Sequence, residues 1–409
     1  MYIVGIGKNM KKGNKKWCLK RHEFIFALLR GLLSFILRIM YGYKAKKYKL
    51  DKDKGYFILS NHQALLDPFF LALSFKKAIY FVATDNLFTH KFLSKIIIFL
   101  VNPIPKRKAT IDANCIKTCL KVAKEGGSVG LFVEGNRAYN DFQFYIDPSI
   151  TKMIRKMGLP LVLYNLKGGY GVDPRWGKKK RKGKFTGEVK RVLSVEEIDN
   201  LSNEELYDIV CNDLRVIDSE SNELYKSKSR AEYLERQLFV CPKCNKIQTL
   251  YSNKDKIYCK DCGFEAQYLE NLHLKTNDEN IKLDKVLDWY KYQLEYIKNY
   301  EISDKIIFED ENVEIYCSDY NQPRTLITKG KLILDKEGLK CNDLTIFVKD
   351  ITSSSSIGGF KFIATTSEHN YLIKGEARFN PIKYVLMFNV LEGPIKENGG
   401  DKYYGLSIN

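Results

Sequence analysis

Apolar residues in the first two hundred positions follow two rhythms. "GYFILSNH", "AIYFVAT", "GSVGLFVEG" and "LPLVLYNLKGG" contain short apolar runs bounded by turn residues, the pattern of buried strands. Between and after them, "PFFLALSF", "KFLSKIIIFLV", "CIKTCLKVAKEG" and "SVEEIDNLSNEELYDIVCNDL" repeat at helical spacing. Strands alternating with helices predict an α/β layer architecture. "GGYGVDPRWGKKKRKGK", rich in glycine and charge, predicts a loop. Further on, Val286, Leu287, Tyr290, Leu294 and Ile297 mark one helix face. From residue 304 strand-like runs take over: "KIIFE", "VEIYCS", "TLITKGKLILD", "LTIFVKDI", "FKFIATT" and "NYLIKGE". A closing helix, "FNPIKYVLMFNVL", follows with Asn380 as its cap and Pro381 as its first residue. The expected divisions are a basic N-terminus with a membrane-associated helix (1–45), an α/β domain (46–238), a cysteine unit (239–270), a linker helix (271–303) and a β-barrel-like domain closed by a helix (304–409).

The membrane reading comes from residues 24–41, "FIFALLRGLLSFILRIMY". Eighteen helical residues reach about 27 Å, marginally short of a hydrocarbon core of roughly 30 Å. Arg30, Ser34 and Arg38 recur every four residues as one polar stripe, and an arginine at mid-bilayer costs about 2.5 to 3.5 kcal/mol. The helix is therefore expected to lie in the interface, with the basic run 8–21 beside it. A true span and a helix packed on its own protein are the alternatives.

Charge sharpens this picture. The net charge of +18 is uneven: residues 1–190 hold 38 Lys and Arg against 12 Asp and Glu, whereas the remainder holds 29 against 37. A basic first half faces nucleic acid, anionic lipid or an acidic protein. The ten cysteines lack the layout of a secreted disulfide set, so a reducing cytoplasm is expected.

Candidate chemistry begins at "SNHQALLDP". His62 ends a predicted strand and Asp67 opens a predicted helix, so both project from one rim of the core. An imidazole moves protons near neutral pH once a carboxylate fixes its tautomer and supports its charged form. The plainer alternative is that Asp67 only caps the helix and His62 bonds locally. "LFVEGNRA" adds Glu134, Gly135 and Arg137 at another strand end, and "NPIPKRK" adds Lys106 and Arg107.

This series, in this order, resembles the glycerophospholipid acyltransferase superfamily, the lysophosphatidic acid acyltransferases in particular. Asn61, His62 and Asp67 match the family's NHxxxxD motif; Glu134, Gly135 and Arg137 match its Glu-Gly-Thr-Arg motif, with Asn136 for threonine and Val133 for the preceding proline. Arg107 is the loose counterpart of the family's middle arginine, and Pro160 of its late proline. The likeness covers roughly residues 50–200. It implies that His62, oriented by Asp67, deprotonates a glycerol hydroxyl, which attacks an acyl thioester directly. Asn61, Arg107, Glu134, Gly135 and Arg137 are the implied substrate-binding residues: the arginines hold a phosphate, and an anionic Glu134 positions an arginine, accepts from a glycerol hydroxyl or forms a structural ion pair. The implied partners are a lysophospholipid, most specifically 1-acyl-glycerol-3-phosphate, an acyl carrier protein or acyl-CoA donor, and an anionic membrane surface at the cytoplasmic face. No catalytic cofactor is implied.

"CPKC" and "CKDC", with fourteen residues between, place Cys241, Cys244, Cys259 and Cys262 as two pairs across a hairpin-sized insert. Four thiolates suit one tetrahedral structural zinc, and the unit resembles a zinc ribbon; redox-active dithiols are the alternative. The last hundred residues resemble a pleckstrin-homology or GRAM-type domain by pattern. A non-catalytic protein that binds lipid or nucleic acid is the competing function. Nucleic acid is disfavoured because the basic excess lies away from the ribbon.

Overall fold

The computed structural model describes residues 16–84, 87, 91–106, 112–135, 137–301, 306–318, 324–391, 396–397, 400–403 and 406–408. Its N-terminal α/β unit has strands β1 (Tyr43–Ala45), β2 (Phe57–Ser60), β3 (Ile79–Thr84), β4 (Ile104–Lys106), β5 (Ser128–Phe132), β6 (Leu161–Lys167) and β7 (Phe185–Leu193). Its helices are α1 (Lys20–Tyr41), α2 (Asp67–Ala72), α3 (Lys91–Val101), α4 (Ala113–Lys124), α5 (Ile150–Met157), α6 (Gly169–Val172), α7 (Val195–Asn200) and α8 (Asn203–Leu214).

The sheet order is β1-β7-β6-β2-β5-β3-β4, parallel throughout except for the antiparallel β6–β7 pair. β1 thus belongs to this sheet, although the boundary expected at residue 45 groups it with the N-terminal helix. β2 lies near the middle, wholly buried, which is why it reads as an unbroken apolar run. Its alternation sends Ile58 into the core with Leu37 and Phe70, and Phe57 and Leu59 into a second core with Cys119, Ile154 and Leu206. Hence α1 and α2 cover one face, and α4, α5 and α8 the other.

One local reading changes, and one gains detail. The helical stretch from 195 onward is two helices, because Ser194 with Glu197 and Ser202 with Glu205 each form a capping box, and the second starts a new helix after Leu201. The lysine-rich run 178–184 keeps its lysines exposed to solvent while ion pairs and one buried arginine tether it. Lys178 pairs with Glu232, Lys184 with Glu223, and buried Arg181 donates to Arg230 O between Trp176 and Tyr268.

The cysteine unit is an antiparallel sheet of β8 (Leu250–Asn253), β9 (Lys256–Cys259), β10 (Glu265–Tyr268) and β11 (Leu274–Thr276), in the order β11-β10-β9-β8. The next helix, α9 (Val286–Lys298), is core material and not a free linker. Its Trp289 Nε1 donates to Val240 O, and its Gln293 accepts from Phe239 N and donates to Gln237 O.

In the C-terminal unit, β12 (Phe308–Ser318), β13 (Thr325–Leu334), β14 (Gly338–Cys341), β15 (Leu344–Phe347), β16 (Ile351–Ile357), β17 (Lys361–Thr366) and β18 (Asn370–Lys374) pair as β15-β14-β13-β12-β18-β17-β16. The first two expected runs join into β12 across an irregularity between Asp310 and Val313, where Asn312 takes a φ of 55°. Helix α10 (Pro381–Leu391) buries Tyr384 and Phe388 against this sheet, and Asn380 caps it through Ile382 N and Lys383 N. Among the described residues the pairing ends at β15 and β16, giving a helix-covered sheet with no closing ladder. One core cluster runs through all three units, from Tyr164 through Phe239 and Trp289 to Phe308 and Phe388.

Candidate active site and cysteine cluster

Strand β2 delivers its last residue to the upper rim of the sheet, and the chain then folds back on Asp67. His62 Nδ1 lies 2.7 Å from Asp67 Oδ2, which also accepts from Gln63 N at 2.6 Å and Ala64 N at 2.9 Å. The carboxylate therefore braces the histidine loop instead of capping α2. An oxygen already accepting two N–H groups is an acceptor for the imidazole as well, so Nδ1 carries the proton and Nε2 keeps its lone pair. The ring stacks on Phe132 at 4.6 Å, and the His62 side chain is 22% exposed while that of Asp67 is fully buried. Beside the pair, Leu65 (72% exposed) and Phe69 give the rim an apolar edge.

Glu134 and Gly135 follow β5. Glu134 accepts from His62 N at 3.2 Å and Phe144 N at 3.3 Å. Among the described residues it forms no ion pair, contrary to one expectation for it; both oxygens are committed to backbone. Although the residue keeps some exposed surface, its carboxyl is enclosed, and burial pushes it from 4.5 up to about 8. Burial opposes the charged form of Glu134, and the two backbone N–H groups it accepts from work in the other direction. The folded chain holds this proton to about pH 8, whereas the unfolded chain releases it near 4.5, so stability falls as pH rises through that window. Glu134→Gln, which keeps the shape of the neutral acid, is expected to flatten that decline in urea unfolding. An unchanged pH slope would rule out the assignment. Gly135 has a φ of 65°, and a Cβ there would meet nothing within 4 Å, so glycine answers to backbone conformation and leaves open space beside the loop.

Arg137 comes to the same loop but is engaged within the protein. Its Nε donates to Gln63 O at 2.8 Å, and its Nη2 donates to Asp173 O and lies 3.4 Å from Asp173 Oδ2. Asn61 is buried, with Nδ2 donating to Leu166 O and Oδ1 accepting from Leu166 N; it ties the end of β2 to β6. That role replaces the substrate contact expected of Asn61, since both ends of its amide are occupied. Arg107 lies outside the described residues, as does Asn136.

Several supporting residues carry no local sequence signal. Gln63 accepts from Gly169 N at 2.9 Å, and Asp218 accepts from Gly168 N and Gly171 N, fixing the turn after β6 behind the histidine loop. At Gly168, φ is 91° and a Cβ would lie 2.0 Å from Lys184 O, so only glycine fits. Asp141 in turn accepts from Asp218 N and Ser219 N, and burial, with Asp141 adding repulsion, raises the Asp218 carboxyl. Arg175 donates to Arg137 O at 3.1 Å and to Ser356 O at 2.7 Å, joining the loop to the C-terminal sheet. The only way to reach these partners from sequence is through long-range pairing, which a single chain does not display.

Around the other candidate centre, Cys241, Cys244, Cys259 and Cys262 bring their sulfurs within 4.8 Å of one another. Cys241 and Cys262 are 3.6 Å apart, Cys244 and Cys259 3.8 Å, against about 3.8 Å for the edge of a zinc-centred tetrahedron with 2.3 Å Zn–S bonds. Asn245 N donates to Cys241 O and Gly263 N to Cys259 O, with φ of 61° and 71°, so both turns curl alike and aim their thiols inward.

With this geometry in hand, comparison with known proteins adds a family. The acyltransferase family model matches residues 44–165, which hold His62, Asp67, Glu134, Gly135 and Arg137. This segment is an acyltransferase-family domain. More particularly, it is similar to lysophosphatidic acid acyltransferases. A 1-acyl-sn-glycerol-3-phosphate acyltransferase of Borreliella burgdorferi is 28% identical over 120 residues, covering 28% of this chain and 48% of that protein. The chain thus spans about half the length of that curated relative. Among solved structures, the 1-acyl-sn-glycerophosphate (LPA) acyltransferase PlsC of Thermotoga maritima aligns at a TM-score of 0.40 and 16% identity, covering 47% of this chain and 77% of that one.

Proposed function

We propose that the protein transfers an acyl group from a thioester to a hydroxyl of a lysophospholipid, with 1-acyl-glycerol-3-phosphate as the acceptor and phosphatidic acid as the product. The carrying observation is the 2.7 Å His62 Nδ1 to Asp67 Oδ2 bond, which leaves Nε2 as the base on a part-exposed ring. Nε2 takes the hydroxyl proton as the oxygen bonds to the thioester carbonyl carbon. The C–S bond then breaks, and the departing thiolate receives the proton from the imidazolium. Asp67 supports the imidazolium charge throughout. Arg137 supplies positive charge beside the loop, and Arg107 is the second candidate for the acceptor's phosphate. The donor is an acyl carrier protein or coenzyme A thioester; both are acidic and suit the basic first half of the chain.

The reaction belongs at a membrane surface, on its cytoplasmic face. Helix α1 is long and apolar enough to cross a bilayer by length and composition. One of its sides is nonetheless docked: Glu23 accepts from Ala78 N, His22 contacts Tyr80, and Arg30 donates to Phe75 O. Its other side exposes Phe24, Leu28, Leu32, Phe35 and Ile39, each between 58% and 72%, and α3 adds Phe92 at 79%. A helix held along its domain with an apolar stripe outward lies in the interface. The four cysteines would hold one structural zinc, a reading supported by the clustering of their sulfurs.

Transfer of a labelled acyl chain from a thioester to lysophosphatidic acid by the purified protein tests the reading. His62→Ala is expected to lower the rate by about 10² to 10⁴-fold with vesicle binding retained. Undiminished transfer by that variant would eliminate the histidine as base.

A further inference from the structure

On the α1 side of the sheet, a groove of about 540 Å³ opens between α1, the segment after β1 and the end of α2. Arg30, Ser34, Lys47, Lys49, Ser74 and Lys76 line it, and none of its lining residues is acidic. Two of the four cations are held in place by backbone: Arg30 Nη1 donates to Phe75 O at 2.8 Å and Lys47 Nζ to Leu73 O at 2.7 Å. Those carbonyls follow the C-terminal end of α2, where exposed oxygens favour positive charge. Burial, with Arg30 nearby as the lesser cause, pulls Lys47 below its usual value. Lys49 and Lys76 are exposed and flank them.

The position of the groove identifies its occupant. At 100° per residue, Phe24, Leu28, Leu32, Phe35 and Ile39 share one flank of α1, and Ala27, Arg30, Gly31 and Ser34 form the adjoining flank, which is the groove wall. With the apolar stripe sunk in the acyl region, the four cations stand at the level of the head groups. Asp67 stands at the opposite end of α2, so the groove is separated from the catalytic pair by that helix, roughly 9 Å long. We propose that this groove binds the phosphate of an anionic bilayer phospholipid, as a site separate from that of the acyl acceptor. The assignment does not depend on the catalytic reading. It makes the site a recognition point for membrane charge, with the apolar stripe supplying depth of insertion.

The test is co-sedimentation of the full chain with vesicles of phosphatidylcholine alone and of phosphatidylcholine with phosphatidylglycerol. Lys49→Glu with Lys76→Glu is expected to weaken binding to the anionic vesicles by about tenfold or more, and to leave binding to neutral vesicles unchanged. Lys152→Glu with Lys156→Glu, the same change of charge on exposed positions of α5 across the sheet, is expected to weaken anionic binding by less than about threefold. Lys49→Gln with Lys76→Gln gives a smaller loss in the same direction and covers the case of a misfolded reversal. Equal losses from the two reversed pairs would mean net charge alone, and would overturn the site. So would tight, saturable binding of inorganic phosphate by the vesicle-free protein that the Lys49→Glu, Lys76→Glu pair abolishes, which would mark a soluble-phosphate site.

Discussion

Asp67→Asn is expected to lower the turnover of acyl transfer by about 10² to 10⁴-fold while leaving vesicle binding and the thioester KM near their original values. The loss follows from three hydrogen bonds converging on one oxygen. His62 Nδ1, Gln63 N and Ala64 N all meet Oδ2, so an asparagine must place its carbonyl oxygen there to avoid opposing donors. Its NH₂ then falls where Oδ1 lies, buried without a hydrogen-bond partner. Leaving that donor unsatisfied costs about 1 to 3 kcal/mol. More seriously, the negative charge that supports the imidazolium is gone. Both routes reach the chemical step through His62, so Asp67→Asn and His62→Ala combined should be little worse than either alone. Additive losses in steady-state kinetics would mean that the carboxylate acts apart from the ring.

Removing the metal is expected to have the second large effect. Metal analysis of the purified protein should give one zinc per chain. Cys241→Ser, or prolonged chelation, should lower the thermal midpoint by on the order of 5 to 10 °C, reflecting several kcal/mol of lost site energy. The effect should extend beyond the cysteine sheet, because Cys241 and Cys259 are buried in the cluster shared with Phe239, Phe264 and Trp289. Acyl transfer should therefore fall together with zinc content. A metal-free protein with an unchanged melting curve would reduce the four thiols to ordinary core residues.

What was legible in the sequence was short in range. His62 and Asp67 are five residues apart in one loop, so their meeting needs only a tight turn; the CxxC pairs likewise carry their geometry in local turns, including the left-handed residue after each pair. The capping boxes at Ser194 and Ser202 lie in four-residue windows, yet the continuous apolar rhythm hid the break between α7 and α8. Glu134 and Asn61 were misjudged for one reason: each carries a functional group that a ligand would suit, and each gives it to backbone far away in the chain. The ion pairs that tether the lysine-rich run 178–184 are not legible because Glu223 lies 39 residues beyond its partner and Glu232 further still. Asp218 and Arg175 had no signal at all, since their meaning comes only from what folding brings to them.

Arg175 is where the separately named halves of the chain lose their independence. Its guanidinium holds the carbonyl of Arg137 on one side and Ser356 on the other, and Arg236 similarly donates to Trp176 O and Ala377 O. A ligand that tugs on the C-terminal sheet must drag the Arg137 loop with it. Truncation at residue 238 would leave both arginines behind without Ser356 and Ala377 to hold, so neither half is an interchangeable cassette.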